Sequence, residues 1–286
     1  MSLHVPTVLV ANYRLRTAML TAAAMLAFAG NSILCRLALR STSIEPASFT
    51  AARIGSAALA LWVFVPRNAG RHEGSWASAL ALFVYAVCFS FAYVEMAAGV
   101  GALVLFGAVQ LTMIGWSLWQ GERFNFLQLA GIATAILGLV MLLLPGVSTG
   151  PLSPVSIAMM LSAGVAWGVY SLRGRKITNP FEATRANFIL AVPFAAVMFL
   201  ASIPQALDLR GLALAAASGA ITSAAGYMIW YSVLPRLTVA QASTVQLCVP
   251  AVAACLGFLL LGEALSMEQG IAAVAVFVGV SLTMRR

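Results

Sequence analysis

Long apolar segments separated by short polar turns cover most of this amino-acid sequence. A helix that crosses a lipid bilayer needs about 20 predominantly apolar residues. By that measure the pattern predicts ten spanning helices, at residues 17–39, 47–66, 75–95, 99–118, 126–144, 154–172, 183–203, 210–231, 238–260 and 267–284. The apolar runs are continuous and do not alternate at every second residue, which disfavours a transmembrane β-barrel. The predicted fold class is therefore an all-α polytopic membrane protein.

The composition agrees with a membrane protein and excludes several other classes. Hydrophobic residues make up 62% of the 286 positions and charged residues only 8%, whereas a soluble domain carries about 25% charged residues. The formal charge of +8 comes from basic residues in short loops, so membrane topology explains it better than nucleic-acid binding. The four cysteines lie in apolar runs without CxxC spacing, which predicts neither a disulfide nor a metal site.

The basic residues also predict the orientation of the chain. With the N-terminus in the cytoplasm, 11 of the 16 lysines and arginines fall in cytoplasmic segments, and three fall at the outer face: Arg36, Arg40 and Arg210. An excess of Lys and Arg in cytoplasmic loops is typical of membrane proteins with that orientation. We therefore expect a multi-pass protein of the cell inner membrane with both termini cytoplasmic, the N-terminal segment being residues 1–16.

The two halves of the chain share a sequence pattern. Gly121-Glu122 ends the predicted fourth span and Gly262-Glu263 ends the ninth. Residues 27–31 of the first span resemble residues 165–169 of the sixth. A five-helix unit thus occurs twice, at 17–146 and 154–286, joined by a linker at 147–153. Because five is odd, the second unit is inverted in the membrane, and inverted repeats are the architecture of alternating-access carriers.

Three segments carry a resemblance to a known family: Gly30-Asn31 in the first span, Arg53 in the second, and residues 250–265 in and after the ninth. On these residues the chain resembles EamA-type members of the drug/metabolite transporter superfamily. By overall similarity it looks most like the bacterial aromatic amino acid exporters. The resemblance implies ten helices, with spans one to four and six to nine around a central cavity and spans five and ten at the periphery.

Enzymatic classes fail because the residues that they need are missing. A P-loop requires a Gly-Lys-Ser/Thr segment, and the only lysine, Lys176, follows Arg175. The only aspartate, Asp208, lies in a predicted loop, and no predicted span contains a histidine that could hold zinc or activate a serine. We expect a transporter with no cofactor rather than an enzyme.

Polar residues inside predicted spans are the first candidates for a substrate site. A side-chain amide in a bilayer is costly unless it faces protein or water. The candidates are the amide residues Asn31, Gln110 and Gln246 and the hydroxyl residue Ser243. Each can line a cavity and offer hydrogen bonds to a polar substrate, or can join neighbouring helices instead. We expect Gln246 to share one cavity with Trp167, although they lie in different repeats.

Aromatic residues in the same spans are the second group of candidates. They can enclose an apolar side chain and present a hydroxyl or a π-face to an ammonium group. The candidates are Tyr85, Trp116, Trp167, Tyr170 and Tyr227. The alternative is the aromatic belt at the membrane interface. The belt interpretation is strongest for Trp116, whereas Trp167 and Tyr85 lie near the middle of their spans.

Four further residues are assigned structural or gating roles. Arg53 lies about 10 Å along the second span, where it can meet a substrate carboxylate or serve the fold. Glu95 is the acid nearest to the interior of a span, and is either a proton carrier or a solvated residue at the interface. Pro250 releases a backbone carbonyl one turn earlier, and Gly257 continues the small-residue face of the ninth span.

The sequence thus predicts an amino acid exporter with a preference for aromatic and other apolar side chains. A drug or other metabolite exporter on the same fold, and a gated channel, remain as alternatives. The expected partners are an amino acid substrate and the lipid bilayer, without nucleic acid, and the expected functional unit is a monomer.

Overall fold

Ten helices follow one another along the chain in the computed structural model, which describes residues 7–66, 73–142, 153–202, 208–263 and 267–284. Among the described turns, those at 42–45 and 175–179 lie at charged and proline-containing breaks of the sequence. The helices of the described ranges are α1 Thr7–Ser41, α2 Pro46–Phe64, α3 Trp76–Ala92, α4 Ala98–Trp119, α5 Phe126–Leu142, α6 Pro154–Gly174, α7 Pro180–Ser202, α8 Leu209–Arg236, α9 Val239–Leu261 and α10 Met267–Met284.

These helices confirm the all-α polytopic prediction. Seven of them are long and apolar enough to cross a membrane, namely α1, α2, α4 and α6 to α9, while α3 and α5 contribute shorter apolar stretches. The clearest difference is at α1, which begins at Thr7 and so includes most of the segment expected to precede the first span. The linker predicted at 147–153 lies outside the described residues except for Ser153, which caps α6 by accepting from Ser156 N at 3.2 Å. Of the residues used for the orientation, Arg67, Arg71, Arg285 and Arg286 also lie outside the described residues.

Helix contacts in this bundle recur when each helix is replaced by its counterpart in the other five-helix unit. Helix α3 packs against α6 as α8 packs against α1, and α4 contacts α6 as α9 contacts α1. The pairs α2–α7, α4–α9 and α5–α10 each join a helix to its counterpart five positions later. When the two five-helix units are exchanged, each of these contacts becomes another of them or itself. An inverted repeat with a site between its halves gives this arrangement.

Helices α5 and α10 form a pair at the edge of the bundle. At their crossing, a Cβ built on Gly131 would lie 2.6 Å from the carbonyl oxygen of Gly279, and one on Gly279 would lie 2.5 Å from the carbonyl oxygen of Gly131. Small residues at such a crossing allow the two backbones to approach closely. The other eight helices surround the buried polar residues described below.

Helix α9 is interrupted in its middle, where the sequence placed Pro250. A proline cannot donate a backbone hydrogen bond, and its ring collides with the carbonyl four residues earlier. That carbonyl belongs to Gln246, which instead accepts from Val249 N at 3.0 Å in a tight turn. The proline therefore separates Val239–Val245 from Cys248–Leu261 and places Gln246 at the break.

Helix α8 also departs from a regular helix. Residues Ser218–Ala225 form a π-helical segment, a feature that the apolar pattern did not predict. The segment crosses α2 very closely, since a Cβ on Gly219 would lie 2.2 Å from the carbonyl oxygen of Arg53. Only a glycine allows this approach, and π-helical turns are frequent at functional sites. The crossing brings the hydroxyl groups of α8 to Arg53.

Candidate functional site

A buried arginine stands at the centre of the candidate site. Arg53 is 1% exposed, and its Nε donates to Ser223 Oγ at 3.0 Å. Its Nη2 donates to the hydroxyl oxygens of Tyr227 at 2.8 Å and Tyr85 at 3.2 Å. The guanidinium carbon also lies 5.1 Å from the centre of the Phe89 ring. Residues from α2, α3 and α8 thus hold the arginine in one orientation.

The charge of Arg53 has only neutral partners among the described residues. The ion pairs found there join Arg36 to Glu263 and Arg185 to Glu182, and neither involves Arg53. Its Nη1 is buried and makes no hydrogen bond. A buried charge without an opposite charge is costly, and a buried donor without an acceptor adds to that cost. Among the described residues, this nitrogen is therefore a buried donor without an acceptor.

Asn31 holds three helices together beside the arginine. Its amide nitrogen donates to the hydroxyl oxygen of Tyr85 at 3.1 Å. Its amide oxygen accepts from Ser218 Oγ at 2.6 Å and from Thr222 Oγ1 at 3.3 Å. Both the amide nitrogen and the amide oxygen are therefore hydrogen-bonded within the protein. Its observed contacts correspond to the interhelical role rather than to an open cavity wall.

Four aromatic rings pack together next to Arg53, and we call them the aromatic group: Phe28, Tyr85, Trp167 and Tyr227. The Trp167 ring lies in the middle, with centroid distances of 5.1 Å to Phe28, 5.0 Å to Tyr85 and 4.7 Å to Tyr227. Tyr170 stacks on Trp167 at 5.5 Å. Because these rings come from α1, α3, α6 and α8, the aromatic group lies between the two repeats.

Trp167 and Gln246 are in direct contact, and their sharing of a substrate cavity stays a prediction. The indole nitrogen of Trp167 donates to Gln246 Oε1 at 2.7 Å, although 79 positions separate the two residues. Gln246 Nε2 donates to the carbonyl oxygen of Ala242 at 2.9 Å and approaches the Met113 sulfur at 3.6 Å. The turn before Pro250 thus carries an amide into contact with the aromatic group.

Gln110 lies on the same side as Gln246 but contacts a different partner. Its Nε2 donates to Thr244 Oγ1 at 3.3 Å, which joins α4 to α9. Its Oε1 is buried and has no hydrogen-bond partner. Met113, one turn further along α4, is the residue that reaches Gln246. Gln110 therefore has a buried amide oxygen that accepts no hydrogen bond, where α4 meets α9.

Trp116 does not join the buried residues. It is 42% exposed and packs against Trp119 with ring centroids 4.9 Å apart. The cause is the period of α4, which buries Gln110, Met113 and Ser117 on one face and turns Trp116 away from it. The observed position is the belt alternative, so the cavity assignment of Trp116 is corrected here.

The remaining predicted residues lie apart from Arg53. Ser243 is buried and donates to the carbonyl oxygen of Ala240 in its own helix at 3.0 Å. Gly257 lies near the end of α9, where a Cβ would be 2.6 Å from Glu263 Oε2. Glu263 in turn accepts from Ala98 N at 3.3 Å. Gly257 therefore makes room for a contact between α9 and the start of α4, which agrees with a structural role.

The hydroxyl groups of Ser218, Thr222 and Ser223 were missed by the sequence analysis. They line the π-helical segment and contact Asn31 and Arg53. Phe28, which completes the aromatic group, was missed as well. The available signal was the polar pair 222–223 one helical turn after Ser218 within an apolar span. A regular helix would not have put all three hydroxyls on one face.

We expect Glu95→Gln to leave substrate exchange largely intact. Glu95 is exposed in the turn between α3 and α4 and accepts from Ser156 Oγ at 2.6 Å. The hydroxyls of Ser156 and then Ser153 hold the pKa of the Glu95 carboxyl below its usual value. A lowered pKa favours the ionised carboxylate, so we expect Glu95 to remain charged rather than to carry protons. Counterflow in proteoliposomes measures this, and complete loss with correctly inserted protein would assign Glu95 to the transport cycle.

Comparison with known proteins identifies the family. The model of the EamA-like transporter family matches residues 154–285. An uncharacterized protein of Pseudomonas aeruginosa is 49% identical over 273 residues, which cover 94% of each chain. A protein of Escherichia coli (strain K12) named "Probable amino-acid metabolite efflux pump" is 25% identical over 66% of this chain and 68% of that protein. A solved crystal structure superimposes with a TM-score of 0.73 at 18% identity, over 94% of this chain and 97% of the other, which supports the fold.

The long apolar helices define a multi-pass membrane protein, and the family match makes it a transporter. The chain belongs to the EamA-like transporter family. The family resemblance read from the sequence is thereby confirmed.

Proposed function

We propose that the protein exports amino acids with aromatic or other apolar side chains across the cell inner membrane by alternating access. The observation that carries the proposal is the Arg53 guanidinium. It holds a charge without an ionic partner and a free N–H group beside the four rings of the aromatic group. A carboxylate attached to an apolar side chain matches both features.

Each part of the site has a role in this proposal. Arg53 binds the substrate carboxylate, because charge-assisted hydrogen bonds are stronger than hydrogen bonds between neutral groups. Trp167, Tyr85 and Tyr227 enclose the side chain, and Gln246 positions the Trp167 ring through their hydrogen bond. The rings contact one another in the described structure, so substrate entry requires Trp167 to separate from the two tyrosines.

The relatives and the fold support export rather than an unspecified transport function. The Escherichia coli relative carries an amino-acid metabolite efflux name. The helix contacts of one half recur in the other half, which supports a carrier whose two repeats alternate around the site. The protein would act as a monomer, because Arg53 and the aromatic group are complete within one chain.

Counterflow in reconstituted vesicles tests the function. Vesicles loaded with unlabelled phenylalanine should accumulate labelled phenylalanine from outside, and alanine or glutamate should compete more weakly than leucine. Saturation and trans-stimulation distinguish a carrier from a gated channel. Counterflow driven by drugs or other metabolites, but by no amino acid, would contradict the proposal and favour a different exporter.

The orientation gives a separate prediction. We expect a cysteine placed at residue 286 to be unreactive toward a membrane-impermeant thiol reagent in intact cells, because 11 of 16 basic residues predict cytoplasmic termini. Permeabilised cells provide the positive control. The labelling needs a background in which Cys255, which is exposed in the structure, is replaced by serine. Strong labelling in intact cells would reverse the orientation.

A further inference from the structure

The acidic side chains whose surroundings the structure describes all lie at the ends of helices. Glu95 and Asp208 accept hydrogen bonds from Ser156 and from Ser43 N. Glu182 pairs with Arg185, and Glu263 lies beside Arg36. The others also lie at helix ends or in turns: Glu45, Glu73 and Glu122. No described carboxylate therefore lies at the depth of Arg53 to receive a substrate ammonium group.

The oxygen atoms around Arg53 already accept hydrogen bonds within the protein. Asn31 Oδ1 accepts from two hydroxyls. The Tyr85 hydroxyl oxygen accepts from both Asn31 and Arg53, and the Tyr227 hydroxyl oxygen accepts from Arg53. An α-ammonium group is attached to the carbon next to the carboxylate, so it would enter this neutral environment close to the guanidinium charge.

Charge balance therefore favours a substrate with a net charge of −1. A monocarboxylate neutralises Arg53, whereas a zwitterion brings an additional positive charge that must be desolvated beside the existing one. Like charges in a site of low dielectric constant repel strongly, and the described residues offer an ammonium group only π-faces and neutral oxygens in place of an anionic partner. The aromatic group accepts the same side chain in both cases.

We propose that the preferred substrates are apolar monocarboxylates without a free ammonium group, that is, deaminated or N-acylated forms of apolar amino acids. This proposal rests on the proposed function, because it assumes that Arg53 meets the substrate carboxylate. It goes beyond that function by naming the part of the amino acid that the site does not accommodate. The transported class would then comprise the products of deaminating or N-acylating reactions.

Four compounds with the same ring separate the contributions: L-phenylalanine, N-acetyl-L-phenylalanine, 3-phenylpropanoate and phenethylamine. Each competes for counterflow of labelled phenylalanine into vesicles containing the wild-type protein, at about pH 7.5, where the carboxylates are ionised and the amines are protonated. Protein-free vesicles correct for passive entry. We expect both compounds lacking the ammonium group to compete at concentrations about tenfold lower than phenylalanine, which corresponds to about 1.4 kcal/mol. Phenethylamine should not compete.

A second measurement assigns the preference to the arginine. In Arg53→Gln the advantage of 3-phenylpropanoate over phenethylamine should disappear from direct binding measured by scintillation proximity. Arg210→Gln, the same change at an exposed residue at the start of α8, should retain it. The ranking in the wild-type protein does not depend on either variant being folded.

The possible outcomes separate the two proposals. If phenylalanine drives counterflow and competes better than both compounds lacking the ammonium group, the inference is wrong and the amino acid exporter stands. If labelled 3-phenylpropanoate undergoes counterflow while no amino acid does, the proposed function is wrong and the inference stands. Competition by phenethylamine at the level of phenylalanine would overturn the role of the carboxylate and with it the inference.

Discussion

Arg53→Gln is expected to reduce amino acid exchange by roughly 30-fold or more while the protein remains inserted in the membrane. Removing one partner of a buried, hydrogen-bonded charge pair costs about 2–5 kcal/mol, and each 1.4 kcal/mol is a factor of ten. Under the proposed function the other partner is the substrate carboxylate, so we expect the loss to appear in transport. Arg53→Lys should be intermediate, because an ammonium group keeps the charge but cannot reproduce the planar fork of the guanidinium.

The stability of the variant separates a binding role from a structural one. A buried charge without an ionic partner carries a desolvation penalty, which a neutral glutamine removes. We therefore expect the detergent-solubilised Arg53→Gln protein to melt at or above the temperature of the wild type. Arg210→Gln is the matched control and should leave both transport and melting unchanged. Wild-type exchange in Arg53→Gln would show that the arginine serves only the packing of α2, α3 and α8.

Trp167→Ala is expected to weaken the transport of large apolar substrates more than that of small ones. The Trp167 ring contacts Phe28, Tyr85 and Tyr227 at the centre of the aromatic group. An aromatic pair contributes about 0.5–1.5 kcal/mol beyond its buried area, so the affinity for phenylalanine should fall about two- to tenfold relative to that for alanine. Competition in counterflow measures this ratio directly.

Two further variants distinguish the parts of this prediction. Gln246→Leu removes the acceptor of the indole N–H and should weaken all amino acids alike. Trp116→Ala makes the same change as Trp167→Ala at an exposed position on α4 and should leave the preference unaltered. If Trp167→Ala and Gln246→Leu lowered every substrate equally, and only through reduced protein levels, both residues would be packing residues.

The repeat pattern of the sequence was informative about the bundle because it depends on local chemistry. Gly121 and Gly262 both have positive φ, of 78° and 64°, at the ends of α4 and α9. The Gly-Glu pairs that follow these helices therefore mark equivalent helix ends, as the sequence comparison assumed. The pairing of α5 with α10 at the edge of the bundle also agrees with the family expectation.

The residues of the candidate site were harder to predict from the sequence, because they depend on which faces of neighbouring helices are in contact. The sequence left Trp116 open between the interface belt and the cavity, and only the structure shows that it is exposed while Trp167 is buried. Asn31 had two open interpretations, and its hydrogen bonds to Tyr85, Ser218 and Thr222 favour the interhelical one. These outcomes follow from helix rotation, which a run of apolar residues does not specify.

The sequence by itself predicted the ten helices, their approximate limits and the pattern shared by the two halves, which agree with the residues that the structure describes. These properties follow from hydrophobic length, proline and glycine positions and residue inventory, all of which are local along the chain. Only the tertiary structure decided that Arg53 lies among three neutral hydroxyl groups, and that Trp167 donates a hydrogen bond to Gln246, which the sequence had only placed in the same cavity. Those contacts arise where a π-helical segment and a proline break turn side chains toward another helix, and the free energy of such a contact depends on both partners at once.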